Sequence, residues 1–260
     1  MASALAPDVR ELVTGTGPFG PSEVHSMLNA LGTDSTCHKS LREAVRELES
    51  QPERSPATAV RLGVCQYLLG RASDAIETLG NADGGALALF YLALSHVANG
   101  NHDEAQACFD AAKNSGYDPA ACALGVVNLL RSTGNASQAA EVVTSLSETA
   151  EGSADYWVAK GDVLSDQGAD VTEIAQAYEK AVEIDPGHPA ALFAMGVLND
   201  RLGNDDDAEA CYEKSLQRYP ATVGALINLG LLHKDRDDFA KAQKCYKRVL
   251  EAFPDHPRAR

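Results

Sequence analysis

The sequence has few aromatic residues and no long apolar segment. Phe, Trp and Tyr make up 6% of its 260 residues, although apolar residues as a whole reach 45%, enough for a substantial core. No apolar run approaches the roughly 18 residues of a membrane-spanning helix, and Met1 to Val13 lacks the apolar core of a signal peptide. We therefore expect a cytoplasmic protein that makes no membrane contact.

Basic residues are also scarce: 22 Lys and Arg stand against 37 Asp and Glu, for a net charge of −15. Such a charge repels nucleic acid and anionic lipid, so we expect no direct nucleic-acid binding by this chain. The charge is uneven, because residues 101–200 carry 4 basic and 16 acidic side chains, whereas residues 201–260 carry 11 and 10. The acidic part of the chain is its middle.

Metal sites, disulfides and catalytic motifs are missing as well. The six cysteines form no C-x-x-C pair and have no histidine at ligand spacing. They are interpreted as reduced thiols of a cytosolic protein. The P-loop, the G-x-G-x-x-G fingerprint and the G-x-S-x-G motif are not found. The sequence therefore predicts no enzymatic activity, no cofactor and no metal. The cysteines are Cys37, Cys65, Cys108, Cys122, Cys211 and Cys245.

What the sequence does contain is a repeat of about 34 residues. Its clearest copy begins at Val223 and ends at His256, with two segments of helical periodicity and Pro254 after the second. Shifting the chain back by 34 and then 35 residues places similar residues in the same positions. The residue at the eighth position of the repeat is small, which is expected to let two helices cross closely. It is expected to face another small residue, such as Ala208. An aromatic residue sixteen or seventeen positions later is expected to fill the space between neighbouring hairpins.

Six copies share this register. They cover residues 56–85, 86–119, 120–153, 154–188, 189–222 and 223–256. The second helix of the first copy is expected to be cut short near Gly80 and Gly84-Gly85. A glycine recurs at the turn between the two helices, where helix C-termini favour it. These turn glycines are Gly70, Gly100, Gly134, Gly168 and Gly203.

This pattern resembles the tetratricopeptide repeat (TPR), W-x2-L-G-x2-Y followed by A-x3-F and then Pro. The resemblance implies an all-α fold, a right-handed α-solenoid of about six helical hairpins, acting as a non-catalytic protein-binding scaffold. The chain departs from the family pattern at Lys160, Val127 and Ile174, which puts local packing in doubt there. Cys108, Cys211 and Cys245 share the twenty-third position and are expected to be buried and unpaired.

Residues 1–55 do not follow the repeat. Thr14 to Pro21 is interpreted as a Gly/Pro-rich turn, after which Ser22 is expected to cap a helix to about Leu31. A second amphipathic helix is predicted from about Cys37 to Glu49. We expect an N-terminal helical hairpin, either a degenerate repeat or a cap.

Two other groups could suggest chemistry. The run Asp205-Asp206-Asp207 could bind a cation, but at the start of a helix carboxylates are more often caps for free N–H groups. His96 and His233 share the eleventh position, and both are interpreted as packed imidazoles without a third ligand.

In TPR proteins the first helices line a concave groove. The resemblance places apolar residues on the groove floor and polar residues beside them. The apolar residues could simply belong to the core, and the polar residues to a solvated helix face. Alternatively, both sets could bind an amphipathic, partly basic helix of a partner, with the acidic residues attracting its basic face. Whether the chain's own N-terminal segment fills the groove stays open. The candidate residues are Val60, Val64, Tyr67, Phe90, Leu94, Val97, Leu124, Asn128, Arg131, Asp155, Asp162, Asp166, Phe193, Val197 and Asp200.

The groove lacks the Lys and Asn residues with which some TPR proteins clamp acidic chaperone tails, so that partner class is not expected. Residues 257–260 are interpreted as the start of a following segment. Phe253 to Arg260 and Phe19 to Glu23 resemble bacterial TPR proteins that continue into a module similar to the C-terminal domain of RNA polymerase α. The resemblance implies an alternative function, as the regulatory or adaptor region of a transcription-associated protein. The sequence does not predict an oligomeric state.

Overall fold

The computed structural model describes residues 8–82 and 85–260, and within these ranges every regular element is an α-helix. The all-α prediction is confirmed. Residues 1–7 and Gly84, which entered the sequence analysis, lie outside the described residues. The N-terminal helices are α1 (Val9–Thr14), α2 (Pro21–Thr33) and α3 (Thr36–Glu49). The others are α4 (Pro56–Leu68), α5 (Ala72–Gly80), α6 (Ala86–Ala98), α7 (His102–Asn114), α8 (Pro119–Ser132), α9 (Ala136–Ser145), α10 (Ser147–Ala150), α11 (Ala154–Asp166), α12 (Val171–Ile184), α13 (Pro189–Arg201), α14 (Asp205–Arg218), α15 (Val223–Asp235) and α16 (Phe239–Ala252).

The chain divides into two compact units, one ending at Gly125 and the other beginning at Val126, within α8. In the first unit α4 packs on α5 and α6 on α7. In the second unit α11 packs on α12, α13 on α14 and α15 on α16. Each of these pairs is one helical hairpin of the predicted register. None of the described helices is long and apolar enough to cross a membrane.

The turn inside each hairpin depends on one residue with positive φ. The five turn glycines have φ between 70° and 77°, a region that costs glycine nothing because it has no Cβ. The residue after Gly203 illustrates the closure, because the Asn204 N–H donates back to the Asn199 carbonyl over 2.9 Å. In the last hairpin Asp237 takes this position with φ 59°. It is the only non-glycine residue with positive φ among those described.

The small residue at the eighth position is covered by a ring of its own hairpin. A Cβ placed on Gly196 would lie 2.4 Å from Cε1 of Tyr212, and one on Gly161 would lie 2.5 Å from Cε1 of Tyr178. This close approach of the ring to the glycine was not predicted from the sequence. The aromatic side chain of the second helix lies across the first helix of the same hairpin, and only a glycine leaves room for it.

The N-terminal segment is more ordered than the sequence suggested. Helix α1 was not predicted, and it packs mainly on α3. Helix α2 begins at Pro21, inside the expected turn, and Ser22 is not its cap. The Glu23 carboxylate accepts from the Gly20 N–H over 2.8 Å, which also lowers the pKa of Glu23. Val13 and Met27, both fully buried, join the core of this bundle.

Several side-chain predictions need correction. All six cysteines are unpaired, but only Cys245 of the twenty-third-position set is buried, while Cys108 and Cys211 are half-buried. Asp205 and Asp206 lie in the first turn of α14, as expected, and they also form ion pairs with Arg236, which were not predicted. Cys108, Cys211, Asp205 and Asp206 are therefore all partly or fully exposed. The repeat register alone does not predict this exposure.

Candidate protein-binding surface

In the first unit the N-terminal helices cover part of the predicted floor. Val24 of α2 is buried in the same cluster as Val64, which is 0% exposed, and Phe19 packs against this cluster. Val64 therefore cannot contact a partner in this structure. The other candidate residues that pack against the cluster are Val60, Tyr67, Phe90 and Leu94, all half-buried.

The N-terminal segment is held there by Arg61, which the sequence analysis did not select. Its Nη1 donates to the Leu12 carbonyl over 2.8 Å, and its Nη2 donates to the Gly17 carbonyl. The guanidinium also lies 5.2 Å from the centroid of the Phe19 ring, within cation–π range. A buried cation with carbonyl and aromatic partners ties this segment to α4.

Phe90 belongs to an aromatic group within the first unit. Its ring stacks on Tyr117 with centroids 4.2 Å apart, and it meets Phe109 edge-on at 5.8 Å. Burial raises the pKa of Tyr117 to about 12. Phe90 is thus packed on one side, and the nearby candidates Val97 and Leu124 are half-buried.

In the second unit, two of the acidic candidates are paired with a third candidate. Arg131 donates from Nη1 to Asp162 Oδ2 and from Nε to Asp166 Oδ2, both over 2.6 Å. The Tyr178 hydroxyl donates to the other Asp162 oxygen over 2.8 Å. Burial raises the pKa of Asp162 despite the opposing effects of Arg131 and Tyr178. This network holds α11 to α12 and to the end of α8, so Asp162 has little capacity left for a partner.

The remaining acidic candidates are more open. Oδ1 of Asp155 lies 3.1 Å from Nε2 of the His188 imidazole, yet the Asp155 side chain is 69% exposed. Asp200 and Asn128 are exposed. Of the acidic candidates in this unit, Asp155 and Asp200 are therefore the ones most available to a partner, since Asp166 is paired with Arg131.

The apolar candidates of the second unit lie on α13. Phe193 and Val197 are half-buried and pack against the core formed by α14, α15 and α16. The Phe193 ring lies 6.0 Å from that of Tyr212, whose pKa is raised by burial to about 12. Leu231, at the equivalent place on α15, is 36% exposed. Among the described residues, no group of three or more His, Cys, Asp or Glu side chains is placed to hold a metal ion.

Comparison with known proteins agrees with the repeat pattern. Four tetratricopeptide-repeat models match residues 87–115, 127–189, 177–210 and 223–256, together more than half of the chain. The last match coincides with the sixth predicted copy. A search of curated protein sequences finds no match.

Solved structures resemble the chain in fold. A tetratricopeptide repeat protein from Parabacteroides merdae has a TM-score of 0.61 at 15% identity, covering 91% of this chain and 90% of that one. The APC/C hetero-tetramer Cut9-Hcn1 gives a TM-score of 0.59, also at 15% identity, and covers 93% of this chain. The chain spans 48% of the length of that relative.

These observations define an all-helical protein of the α-solenoid class, built from hairpins that repeat about every 34 residues. The chain belongs to the tetratricopeptide-repeat proteins. Repeats of this family form scaffolds for protein–protein interaction and are generally non-catalytic. No module similar to the C-terminal domain of RNA polymerase α is among these matches.

Proposed function

We propose that this chain binds a segment of a partner protein on the first helices of its second unit, and that the segment is an amphipathic, partly basic helix. The single observation that carries the proposal is the surface shared by α11, α13 and α15. Residues 155, 158, 162 and 166 recur every three or four positions on one face of α11, as do residues 193, 197 and 200 on α13. Because α11 packs beside α13 and α13 beside α15, these faces are neighbours.

The chemistry of this surface suits such a helix. Phe193, Val197 and Leu231 offer partly exposed apolar contacts, whereas Asp155 and Asp200 offer carboxylates that solvent reaches. Apolar contacts of this kind set the lifetime of a complex, and exposed charges mainly raise the association rate. We assign Asp162 a structural role instead of a binding role, because its carboxylate oxygens already accept hydrogen bonds from Arg131 and Tyr178.

A site-specific photo-crosslinker tests where the partner lies. Placed at Val197 or Leu231, it should capture the same protein, whereas a crosslinker at Val171, which is also exposed but on α12, should not. Equal capture at Val171 would contradict the proposed surface.

The recovered partner then allows a kinetic test. Val197→Ser with Leu231→Ser should speed dissociation, and Leu202→Ser, an exposed apolar residue elsewhere, serves as the control. Asp155→Lys with Asp200→Lys should slow association and weaken its salt dependence, with Glu173→Lys as the charge control. If both double variants bind as the unmodified chain does, the partner uses another face.

The alternative function, as a regulatory region of a transcription-associated protein, rests on the short terminal resemblances alone. Reading the gene downstream of the codon for Arg260 tests it directly. An RNA polymerase α-like module there would favour it, and a different continuation would remove it.

A further inference from the structure

A histidine caps the first turn of α13 in the second unit. His188 is the residue before this helix, and its Nδ1 accepts from the Ala191 N–H over 3.2 Å. Ser, Thr, Asn and Asp usually cap a helix in this way, because their side-chain oxygens are acceptors. An imidazole nitrogen accepts only while it carries no proton. The cap of α13 therefore depends on the protonation state of one ring.

The other ring nitrogen of His188 reaches a different helix. Nε2 lies 3.1 Å from Oδ1 of Asp155 on α11. Because Nδ1 accepts, the single proton of the neutral ring is on Nε2, which donates to this carboxylate. The His188 side chain is only 14% exposed. The neutral imidazole thus joins α11 to the start of α13 with both nitrogens in use.

Two other charged groups lie near the ring. Asp185, three residues before His188, interacts with it electrostatically. The same carboxylate accepts from Nη1 of Arg218, on α14, over 2.6 Å. Because Asp185 is already paired with Arg218, Asp155 is the carboxylate that a charge on the ring would mainly affect.

A second proton on the ring would change both of its contacts. It would be bound at Nδ1, where it would face the Ala191 N–H, so the cap would be lost and a positive charge would lie at the positive end of the helix dipole. At Nε2 the hydrogen bond to Asp155 would become an ion pair, which offsets the charge of that carboxylate. Histidine is the side chain that ordinarily changes charge between about pH 5 and 8.

We propose that His188 is a pH-dependent switch at the junction of α11 and α13. The neutral imidazole caps α13 and leaves Asp155 its negative charge, whereas the imidazolium releases the cap and offsets that charge. Phe193 lies early in the helix that this cap holds. The surface of α11, α13 and α15 therefore becomes less acidic and less firmly anchored when the ring binds a proton. Weaker binding of a basic helix at low pH is the consequence, and that consequence rests on the proposed function.

NMR of the full chain tests the switch without a partner. At pH 8 the ring nitrogen signals of His188 should show the proton on Nε2. As the pH falls to about 5, the Ala191 amide and the Asp155 carboxyl carbon should shift with the same midpoint as the ring. The Ala191 amide should also exchange about fivefold faster relative to an unstructured amide, as expected for one lost cap. A proton on Nδ1 at pH 8, a ring that stays neutral down to pH 5, or an Ala191 amide that does not follow the ring would overturn the proposal.

Two variants provide the controls for this titration. His188→Asn keeps a capping oxygen that does not titrate, so its Ala191 amide should no longer respond to pH. His102→Asn, at an exposed position of α7 in the first unit, should leave the response unchanged. A response that persists in His188→Asn would belong to another group, and the switch would then be wrong.

A synthetic amphipathic helix of leucine, alanine and lysine measures the effect on binding. Fluorescence anisotropy with the full chain should show about threefold weaker binding at pH 5.5 than at pH 7.5, the size expected for one exposed ion pair. His188→Asn should remove most of this difference, and His102→Asn should not. Absence of binding at both pH values would contradict the proposed function, while the NMR titration still decides the switch. Binding that is equally strong at both pH values would show that the switch does not act on this surface.

Discussion

The ring of Tyr212 lies against Gly196 so closely that a Cβ at that glycine would be 2.4 Å from Cε1 of the ring. Both residues are buried, and the ring has neighbours on its other side as well. Gly196→Leu should therefore overpack the hairpin and lower the free energy of unfolding by roughly 1–3 kcal/mol. Gly152→Ala is the control, because nothing lies within 4 Å of a Cβ there. Equal melting of Gly196→Leu and the unmodified chain would show that this packing is wrong.

In the turn of the last hairpin, introducing a glycine is expected to stabilise the protein rather than destabilise it. Asp237 has φ 59°, while Gly203 has φ 75° at the equivalent position. Because a Cβ is strained in this region, Asp237→Gly should stabilise the second unit by about 0.5 kcal/mol, part of the gain being lost to the freedom of glycine in the unfolded chain. Gly203→Asp should destabilise it. Urea unfolding of the two variants measures both, and a loss of stability in Asp237→Gly would contradict the strain.

The Arg131–Asp162 pair should show energetic coupling. Their side chains are 24% and 25% exposed, so Arg131→Met leaves a largely buried carboxylate without its cation. We expect that variant to lose about 1–3 kcal/mol of stability, and Arg131→Met with Asp162→Asn to lose less than the sum of the single changes. Asp166→Asn should have a smaller effect because Asp166 is more exposed. If the losses of the two single variants, measured by urea unfolding, simply add in the double variant, the two side chains are not energetically coupled.

His38 should make the first unit sensitive to acid. Burial, with a smaller effect of Arg42, lowers the pKa of this imidazole from 6.5 to about 4. Between these values the unfolded chain binds more protons than the folded chain, so stability should fall as the pH decreases from 6.5 to 4. The loss is at most about 3 kcal/mol. His38→Gln should unfold with a smaller difference between pH 7 and pH 4.5. An unchanged difference would assign the acid sensitivity to other groups.

The cysteines should react in an order set by burial. Cys65 is 0% exposed, and burial raises the pKa of its thiol far above the usual range. Since the thiolate is the reactive form, a maleimide should modify the half-buried Cys37, Cys108 and Cys211 well before Cys65. In urea all six should react alike. Early modification of Cys65, located by mass spectrometry, would be inconsistent with its position in the core.

The sequence was sufficient for features that are local and periodic. The recurrence of Gly70 and its counterparts predicted the turns, because glycine adopts positive φ without steric cost. The pairing of Arg131 with Asp162 could have been predicted, since opposite charges recur about one repeat apart on neighbouring first helices. Sequence analysis placed both on the groove without pairing them.

Other features had no periodic signal. Arg61 is the single charged residue of α4. Its partners Leu12 and Gly17 lie in a segment that the repeat does not include. Helix α1, of six residues, is too short for its periodicity to be recognised. The covering of Val64 by Val24 followed from these contacts and could not be inferred from the register.

The contacts of Arg61 also have a kinetic consequence. They join residues 49 and 44 positions apart. By contrast, a ring and the glycine it covers, such as Tyr212 and Gly196, lie within one hairpin. Closing the longer loop costs about 1 kcal/mol more in chain entropy. During synthesis the N-terminal segment leaves the ribosome first, but its binding site on α4 is completed only after residue 61 has emerged. The earliest part of the chain to be made is therefore expected to dock late, after the hairpin of α4 and α5 has offered it a surface.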